Sequence, residues 1–160
     1  MNIRMLVALS TFVALSGAPL ATEASAVQLK RPTTEISDPA KVVDAFHAAL
    51  STGRPSDALD LLSDDALIFE SGHVERSKTE YAAHHAAADA EFAKAVSSVT
   101  AKRSGETIGD FAWIASETRT KGTYKGKAVN SLTTETMLLR RVKGSWKIFH
   151  IHWSSRKLTS

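Results

Sequence analysis

The chain has 160 residues with a formal net charge of +3 at pH 7, and its length fits one domain with a single hydrophobic core. It has no cysteine, which excludes disulfides, a cysteine nucleophile and lipid attachment through cysteine. Residues 119–160 hold 10 basic residues and one acidic residue, but the basic residues alternate with apolar ones as on the solvent face of a sheet, so no nucleic-acid partner is expected.

Residues 1–26 have the pattern of a secretory signal peptide. Arg4 precedes an apolar run from Met5 to Leu15, and small residues lead to the cleavage signal Ala24-Ser25-Ala26. The apolar run is shorter than the roughly 20 residues that cross a bilayer, so no membrane insertion is expected after signal cleavage. We therefore expect a periplasmic or secreted protein. Residues 27–37 are polar and are predicted to form a flexible leader.

Three helices and a short strand are predicted after the leader. Each helix begins at a residue that can cap it: Asp38, Ser56 and Ser77. Glu80 completes a capping box with Ser77, and this third helix is predicted to continue unbroken to about Ala95. The strand, which lies between the second and third helices, is predicted at residues 66–71.

Four long strands are predicted in the second half of the chain. They cover residues 96–107, 110–123, 127–143 and 145–155, with β-branched residues in the strands and glycine-containing turns between them. Short turns between consecutive strands make an antiparallel meander. Helices followed by a sheet indicate an α+β fold, with the helices packed on one face of the sheet.

This order of elements, together with three sequence segments, resembles the SnoaL-like superfamily, which includes nuclear transport factor two and ketosteroid isomerase. The segments are DALIFESG at 65–72, TETMLL at 134–139 and WKIFHIHWS at 146–154. The resemblance covers residues 38–156 and implies a cone-shaped, cystatin-like α+β roll with three helices on a curved, mainly antiparallel sheet. It also implies a homodimer with one pocket per subunit, but no particular reaction, because the fold hosts isomerases, cyclases, dehydratases and binding modules.

Strict alternation along the last strand predicts which of its side chains enter the pocket. Trp146, His150, His152 and Ser154 would share the inward face. Glu70, at the end of the first strand, and His152 are the predicted acid–base groups, with pKa values tuned by desolvation and neighbours. The other predicted contacts of a small-molecule ligand are Tyr81, Trp113, Trp146, His150 and Ser154, for which a purely structural role is the alternative.

Two other functions remain open from the sequence. His85, His150 and His152, with Asp89 or Glu70, could bind zinc or copper, since imidazole suits both ions; alternatively, Asp89 only orients His85. In the third interpretation the domain is a non-catalytic, dimeric interaction module whose pocket is filled by side chains. The sequence does not decide whether the protein is an enzyme.

Overall fold

The computed structural model describes residues 37–159, which form four helices and six strands. The helices are α1 (Ser37–Ser51), α2 (Pro55–Asp60), α3 (Lys78–His84) and α4 (Ala86–Ala95). The strands are β1 (Leu62–Glu70), β2 (His73–Glu75), β3 (Val96–Ile108), β4 (Phe111–Tyr124), β5 (Lys127–Val142) and β6 (Ser145–Lys157). The predicted signal peptide and residues 27–36 of the predicted leader lie outside the described residues. Within residues 37–159, no helix is both long and apolar enough to cross a membrane.

The six strands form one sheet in the order β2-β1-β6-β5-β4-β3. β1 pairs with β6 in parallel, and the remaining pairs of the described chain are antiparallel. The helices cover one face of the sheet, where Phe46 of α1 packs against a core that includes Ile114, Met137 and Ile148, all fully buried. Each such side chain stabilises the fold by about 1.5–3 kcal/mol through burial. The predicted α+β fold with a mainly antiparallel sheet is confirmed.

The predicted third helix is in fact two helices. Half of the predicted capping box forms: the Ser77 hydroxyl accepts a hydrogen bond from the Glu80 N–H at 3.0 Å, but the Glu80 carboxylate accepts from the N–H of Arg76, one residue before the cap, at 2.7 Å. The prediction of an unbroken helix to Ala95 is wrong, since His85 leaves helical geometry with φ −124° and ψ −35°. This break separates α3 from α4.

The start of the sheet also differs from the prediction. The chain enters β1 already at Leu62, and the residues that follow β1 form a further strand, β2, which pairs with it. Ser56 does not cap α2: Arg54 occupies the cap position and Pro55 begins the helix. Proline suits a first helical turn because its missing N–H would have no partner there.

A β-bulge in β6 changes which residues face the helices. Leu139 pairs with Ile148 but Leu138 pairs with His150, which leaves Phe149 between them without a partner on β5. Strict alternation is broken, so Ile148 and Ile151 are both fully buried. The prediction that His150 and His152 face inward is therefore wrong.

A second bulge acts in the same way on β3. Thr100 pairs with Thr118, and Lys102 pairs with Glu117, so that Ala101 has no partner on β4. After this extra residue, Arg103 rather than Lys102 faces the helices. The two bulges thus determine which residues of β3 and β6 face the helices.

Candidate functional site

A cavity of about 390 Å³ lies between α1, α4 and the inner face of the sheet. Phe92 and Ala93 of α4 and Val96 supply apolar wall, and Asp44 and His47 of α1 supply polar wall. Most of the sheet side carries hydroxyl groups, from Ser98, Thr100, Ser116, Thr118, Thr120, Ser131 and Thr133. A cavity of this size and mixed lining suits a small organic molecule.

One row of residues crosses the sheet at the base of this cavity. Glu70, Trp153, Glu135, Ser116 and Arg103 lie opposite one another on β1, β6, β5, β4 and β3 in that order. All five line the cavity. We call this set the polar row.

The rows on either side of the polar row differ in chemistry. On the side of the turn between β3 and β4, the neighbouring inner row is apolar and consists of Ile68, Ile151, Met137 and Ile114. On the side of the turn between β4 and β5, the neighbouring inner row carries hydroxyl groups and consists of Ser155, Thr133, Thr118 and Thr100. We call it the hydroxylic row. The polar row therefore marks the boundary between the hydrophobic core and the cavity.

Glu135 is the most deeply buried charged residue of the cavity wall, with 6% of its surface exposed. Its Oε2 atom accepts hydrogen bonds from His47 Nε2 and from Trp153 Nε1, both at 2.8 Å. Burial opposes ionisation, but the hydrogen bonds from His47 and Trp153 and the charge of Arg103 outweigh it and lower the pKa of Glu135. Oε1 has no hydrogen-bond partner within the described part of the chain.

Arg103 links the polar row to α1. Its Nε donates to Ser116 Oγ at 3.2 Å, and its Nη1 donates to Asp44 Oδ1 at 2.7 Å. The guanidinium is thus already paired with a carboxylate on the opposite wall of the cavity.

At the other end of the polar row, Glu70 and the α4 residue Asp89 are two carboxyl groups of the cavity wall with raised pKa values. The Tyr81 hydroxyl donates to Asp89 Oδ2 at 2.8 Å, and Asp89 and Glu70 both line the cavity. Burial raises the pKa of Asp89. Partial burial, and next the charge of Asp89, raise the pKa of Glu70, while His85 and His73 oppose that shift. Groups with shifted pKa values in a cleft are candidates for proton transfer.

A smaller pocket of about 90 Å³ adjoins the cavity and shares Glu70 and Trp153 with it. Its wall includes Glu75, whose carboxylate contacts His85 Nδ1 at 2.5 Å and His84 Nδ1 at 3.1 Å. Burial opposes ionisation of Glu75, but the hydrogen bonds from His84 and His85 outweigh it and lower the pKa of Glu75. Glu75 thereby fixes the orientation of the His85 ring.

The structure assembles only some of the predicted ligand-binding residues. Glu70 lines the cavity, Tyr81 is joined to it through Asp89, and Ser154 is exposed at its rim. Trp146 is buried under the guanidinium of Arg141 instead of lining the cavity. Trp113 pairs with Leu138 on the outer face of the sheet, so its prediction as a pocket residue is wrong.

The predicted metal ligands are not brought together. His150 and His152 contact the Phe69 ring on the outer face, with ring centroids 5.2 and 6.1 Å apart, whereas His85 lies on the helix side with Glu75. In residues 37–159 no group of three or more His, Cys, Asp or Glu side chains is arranged to hold a metal ion. The predicted zinc or copper site of His85, Asp89, His150 and His152 is therefore wrong, as is the predicted catalytic position of His152.

The sequence did not predict that three residues belong to one site: His47, Arg103 and Glu135. A signal for the cavity is nevertheless present in the inward positions of β4 and β5. On β4 they change from Ala112 and Ile114 to Ser116, Thr118 and Thr120. An inner sheet face that changes from apolar to hydroxylic residues indicates where the core ends and a polar cavity begins.

Comparison with known families and structures gives a consistent assignment. The family model described as "SnoaL-like domain" matches residues 40–156. The crystal structure of a candidate ketosteroid isomerase from Shewanella frigidimarina is 41% identical, covers 71% of this chain and 92% of its own, and superposes with a TM-score of 0.69. No curated protein matches the chain.

More distant structures share the fold. A candidate calcium/calmodulin-dependent protein kinase II association domain from Xanthomonas campestris is 24% identical over 74% of this chain and 85% of its own, with a TM-score of 0.62. An NTF2-like protein of unknown function from Pseudomonas putida is 18% identical over 72% of this chain and 82% of its own, also with a TM-score of 0.62.

Proposed function

The chain belongs to the SnoaL-like family, and on that premise we propose that it binds a small organic molecule in the cavity and moves a proton on that molecule through Glu70. The observation that carries the proposal is the placement of Glu70 and Asp89, two carboxyl groups with raised pKa values, in the wall of one cavity. Structural carboxylates in ion pairs generally have lowered pKa values instead.

Glu70 has the properties of a general base for a carbon acid. A raised pKa makes a carboxylate a stronger base while it stays ionised above that pKa. Glu70 would take a proton from a carbon next to a carbonyl group, and the electron pair of the broken C–H bond would move onto the carbonyl oxygen. The same carboxyl group would return the proton to this carbon or to a conjugated one. The 41% identical relative named as a candidate ketosteroid isomerase supports this reaction class.

Deuterium uptake tests this function across a range of carbon acids at once. The tag-free protein is incubated in D₂O with a panel of ketones, including a β,γ-unsaturated ketosteroid, and exchange at carbon is followed by mass spectrometry. We expect enzyme-dependent exchange, and a loss of at least about 100-fold in Glu70→Gln. His152→Ala, on the outer face, is the matched control and should keep the wild-type rate. Equal exchange in wild type and Glu70→Gln would contradict the proposed role of Glu70.

We also propose that the protein is exported. The support is the sequence of residues 1–26, with Arg4, an apolar run and the cleavage signal ending at Ala26. N-terminal sequencing of the protein secreted or released from the periplasm should begin at Val27. Recovery of the full-length chain in the cytoplasm alone would contradict export.

The outer face of the sheet favours a homodimer. Its side chains include Phe69, Trp113, Leu138 and Phe149, together with Phe111, which is 37% exposed. A patch of aromatic and aliphatic side chains on one sheet face is typical of a surface that docks against another protein. We therefore propose that two copies of the chain pack through this face and leave both cavities open.

A further inference from the structure

We propose that Glu135 anchors the ligand through a protonated amine, so that the cavity selects a small organic cation. This inference rests on the proposed function in that it assigns a ligand class to the same cavity. It makes Glu135 a ligand-binding residue, separated along the polar row from Glu70, the proposed proton-transfer residue.

The hydrogen-bond inventory of Glu135 indicates an unfilled acceptor. Oε2 already accepts from His47 and Trp153, but Oε1 is buried and has no partner in residues 37–159. A buried acceptor without a donor is costly, and native proteins rarely retain one without a reason. Since Glu135 lines the cavity, a small shift of its side chain would bring this buried atom to a donor group on a bound ligand.

The charges around the cavity favour a cation over an anion. Among the cavity-lining residues of the described chain, the single Lys or Arg is Arg103, and its guanidinium is paired with Asp44. Glu70, Asp89 and Glu135 have no such partner in the cavity wall, apart from the contact of His47 with Glu135. An anionic ligand would therefore meet Glu70 and Asp89, which have no cationic partner in the cavity wall, whereas an ammonium group would be attracted to them.

The neighbouring hydroxyl groups suit the remaining protons of an ammonium group. An ammonium has three N–H donors, of which Glu135 Oε1 accepts one. Thr133 and Thr118, in the hydroxylic row next to Glu135 and Ser116, present oxygen atoms that can accept the others. Hydrogen bonds with a charged partner are also roughly twice as strong as neutral ones, which favours an amine over an alcohol.

The same register sets the length of the ligand. Glu70 and Glu135 are separated by Trp153, that is, by two strand spacings or about 10 Å between their Cα atoms. A ligand held by its amine at Glu135 would thus place a carbon several bonds away against Glu70. We infer an amine and a proton-exchanging centre at opposite ends of the ligand.

Three probes of one shape test the anchor: phenethylamine, 2-phenylethanol and phenylacetate, titrated by isothermal calorimetry at pH 7. We expect the amine to bind at least about tenfold more tightly than the alcohol, and the carboxylate to bind most weakly. Glu135→Gln should reduce amine affinity by at least about tenfold and alcohol affinity by less than about threefold. Glu117→Gln, on the outer face, is the matched control and should leave all three unchanged.

Two results would overturn the anchor. One is phenylacetate binding as tightly as phenethylamine to the wild type, a comparison that needs no variant to fold. The other is unchanged amine affinity in a Glu135→Gln protein with wild-type circular dichroism. Glu70→Gln separates the two proposals, since it should abolish deuterium exchange and retain amine binding. Amine preference without exchange would refute only the catalytic role, and exchange without amine preference would refute only the anchor.

Discussion

Trp153 lies between Glu70 and Glu135, pairing with Glu70 through β1 and with Glu135 through β5, and its Nε1–H donates to Glu135 at 2.8 Å. The two carboxyl groups have opposite pKa shifts, raised for Glu70, chiefly by burial, and lowered for Glu135, where hydrogen bonds outweigh burial. One indole ring therefore separates a group suited to exchanging a proton from a group that stays ionised.

Replacing Trp153 with Phe should destabilise the ionised carboxylate of Glu135 and thereby the fold. The variant keeps an aromatic ring next to Phe46 but removes the N–H that donates to Glu135 Oε2. We expect a loss of about 1–2 kcal/mol in the free energy of unfolding at pH 7, measured by urea denaturation. Trp146→Phe, which removes a buried indole N–H that has no partner in residues 37–159, is the matched control with a smaller expected change. A Trp153→Phe protein as stable as wild type would show that this hydrogen bond contributes nothing net.

Asp89→Asn should stabilise the protein at neutral pH. Burial raises the folded-state pKa of Asp89 above its ordinary value of 3.8, so the ionised carboxylate disfavours folding at neutral pH, and this cost disappears below 3.8. Asn keeps an oxygen that can accept from Tyr81. We expect a rise of a few °C in Tm at pH 7.5, as for about 1 kcal/mol in a domain of this size, and no rise at pH 3. A rise of equal size at both pH values would point to another cause.

The same substitution should change the pH dependence of catalysis. Partial burial and the negative charge of Asp89 raise the pKa of Glu70, so removal of that charge should lower it. The acid limb of the deuterium-exchange rate would then move to lower pH in Asp89→Asn, because Glu70 would stay ionised there. The rate at high pH should fall, because a weaker base accepts the proton less readily. A limb that stays in place, or moves to higher pH, would contradict the coupling of these two residues.

Ala115→Glu should break the proposed dimer without disturbing the cavity. Ala115 lies on the outer face of β4 opposite Thr136, so the new carboxylate would be desolvated inside a packed interface. Light scattering coupled to size exclusion should give a dimer for the wild type and a monomer for the variant. Thr123→Glu, near the exposed end of the same strand, is the matched control that should remain dimeric. A wild-type protein that is monomeric at about 100 μM would rule out the dimer as a stable species.

The long strands were predictable because β-branched residues and glycine turns are local signals. The residues that face the helices on β3 and β6 were not predictable, because no residue type signals a bulge. Neither Phe149 nor Ala101 is a residue type that breaks a strand. The break at His85 was hidden for a related reason. The alanine-rich sequence favours one helix, but a contact of His85 with Glu75 of β2, ten positions earlier in the chain, accompanies the end of α3.

Glu70 was predictable as a site residue because it ends a strand next to a glycine turn. The environment of Glu135 was not, since it depends on His47 of α1, which is 88 positions away along the chain, as well as on Trp153. A carboxylate on a strand among threonines is compatible with an ordinary surface ion pair. Only the tertiary arrangement distinguishes a buried acceptor from an exposed one.

The bulge at Phe149 also governs how residue roles can be transferred between relatives. An alignment that places a gap one position away would equate His150 or His152 of this chain with a cavity residue of another, although both lie on the opposite side of the sheet. In such a strand, one inserted or deleted residue exchanges the residues that face the cavity for those on the outer face of the sheet. The roles of residues that follow the bulge can therefore be compared only between chains that share it.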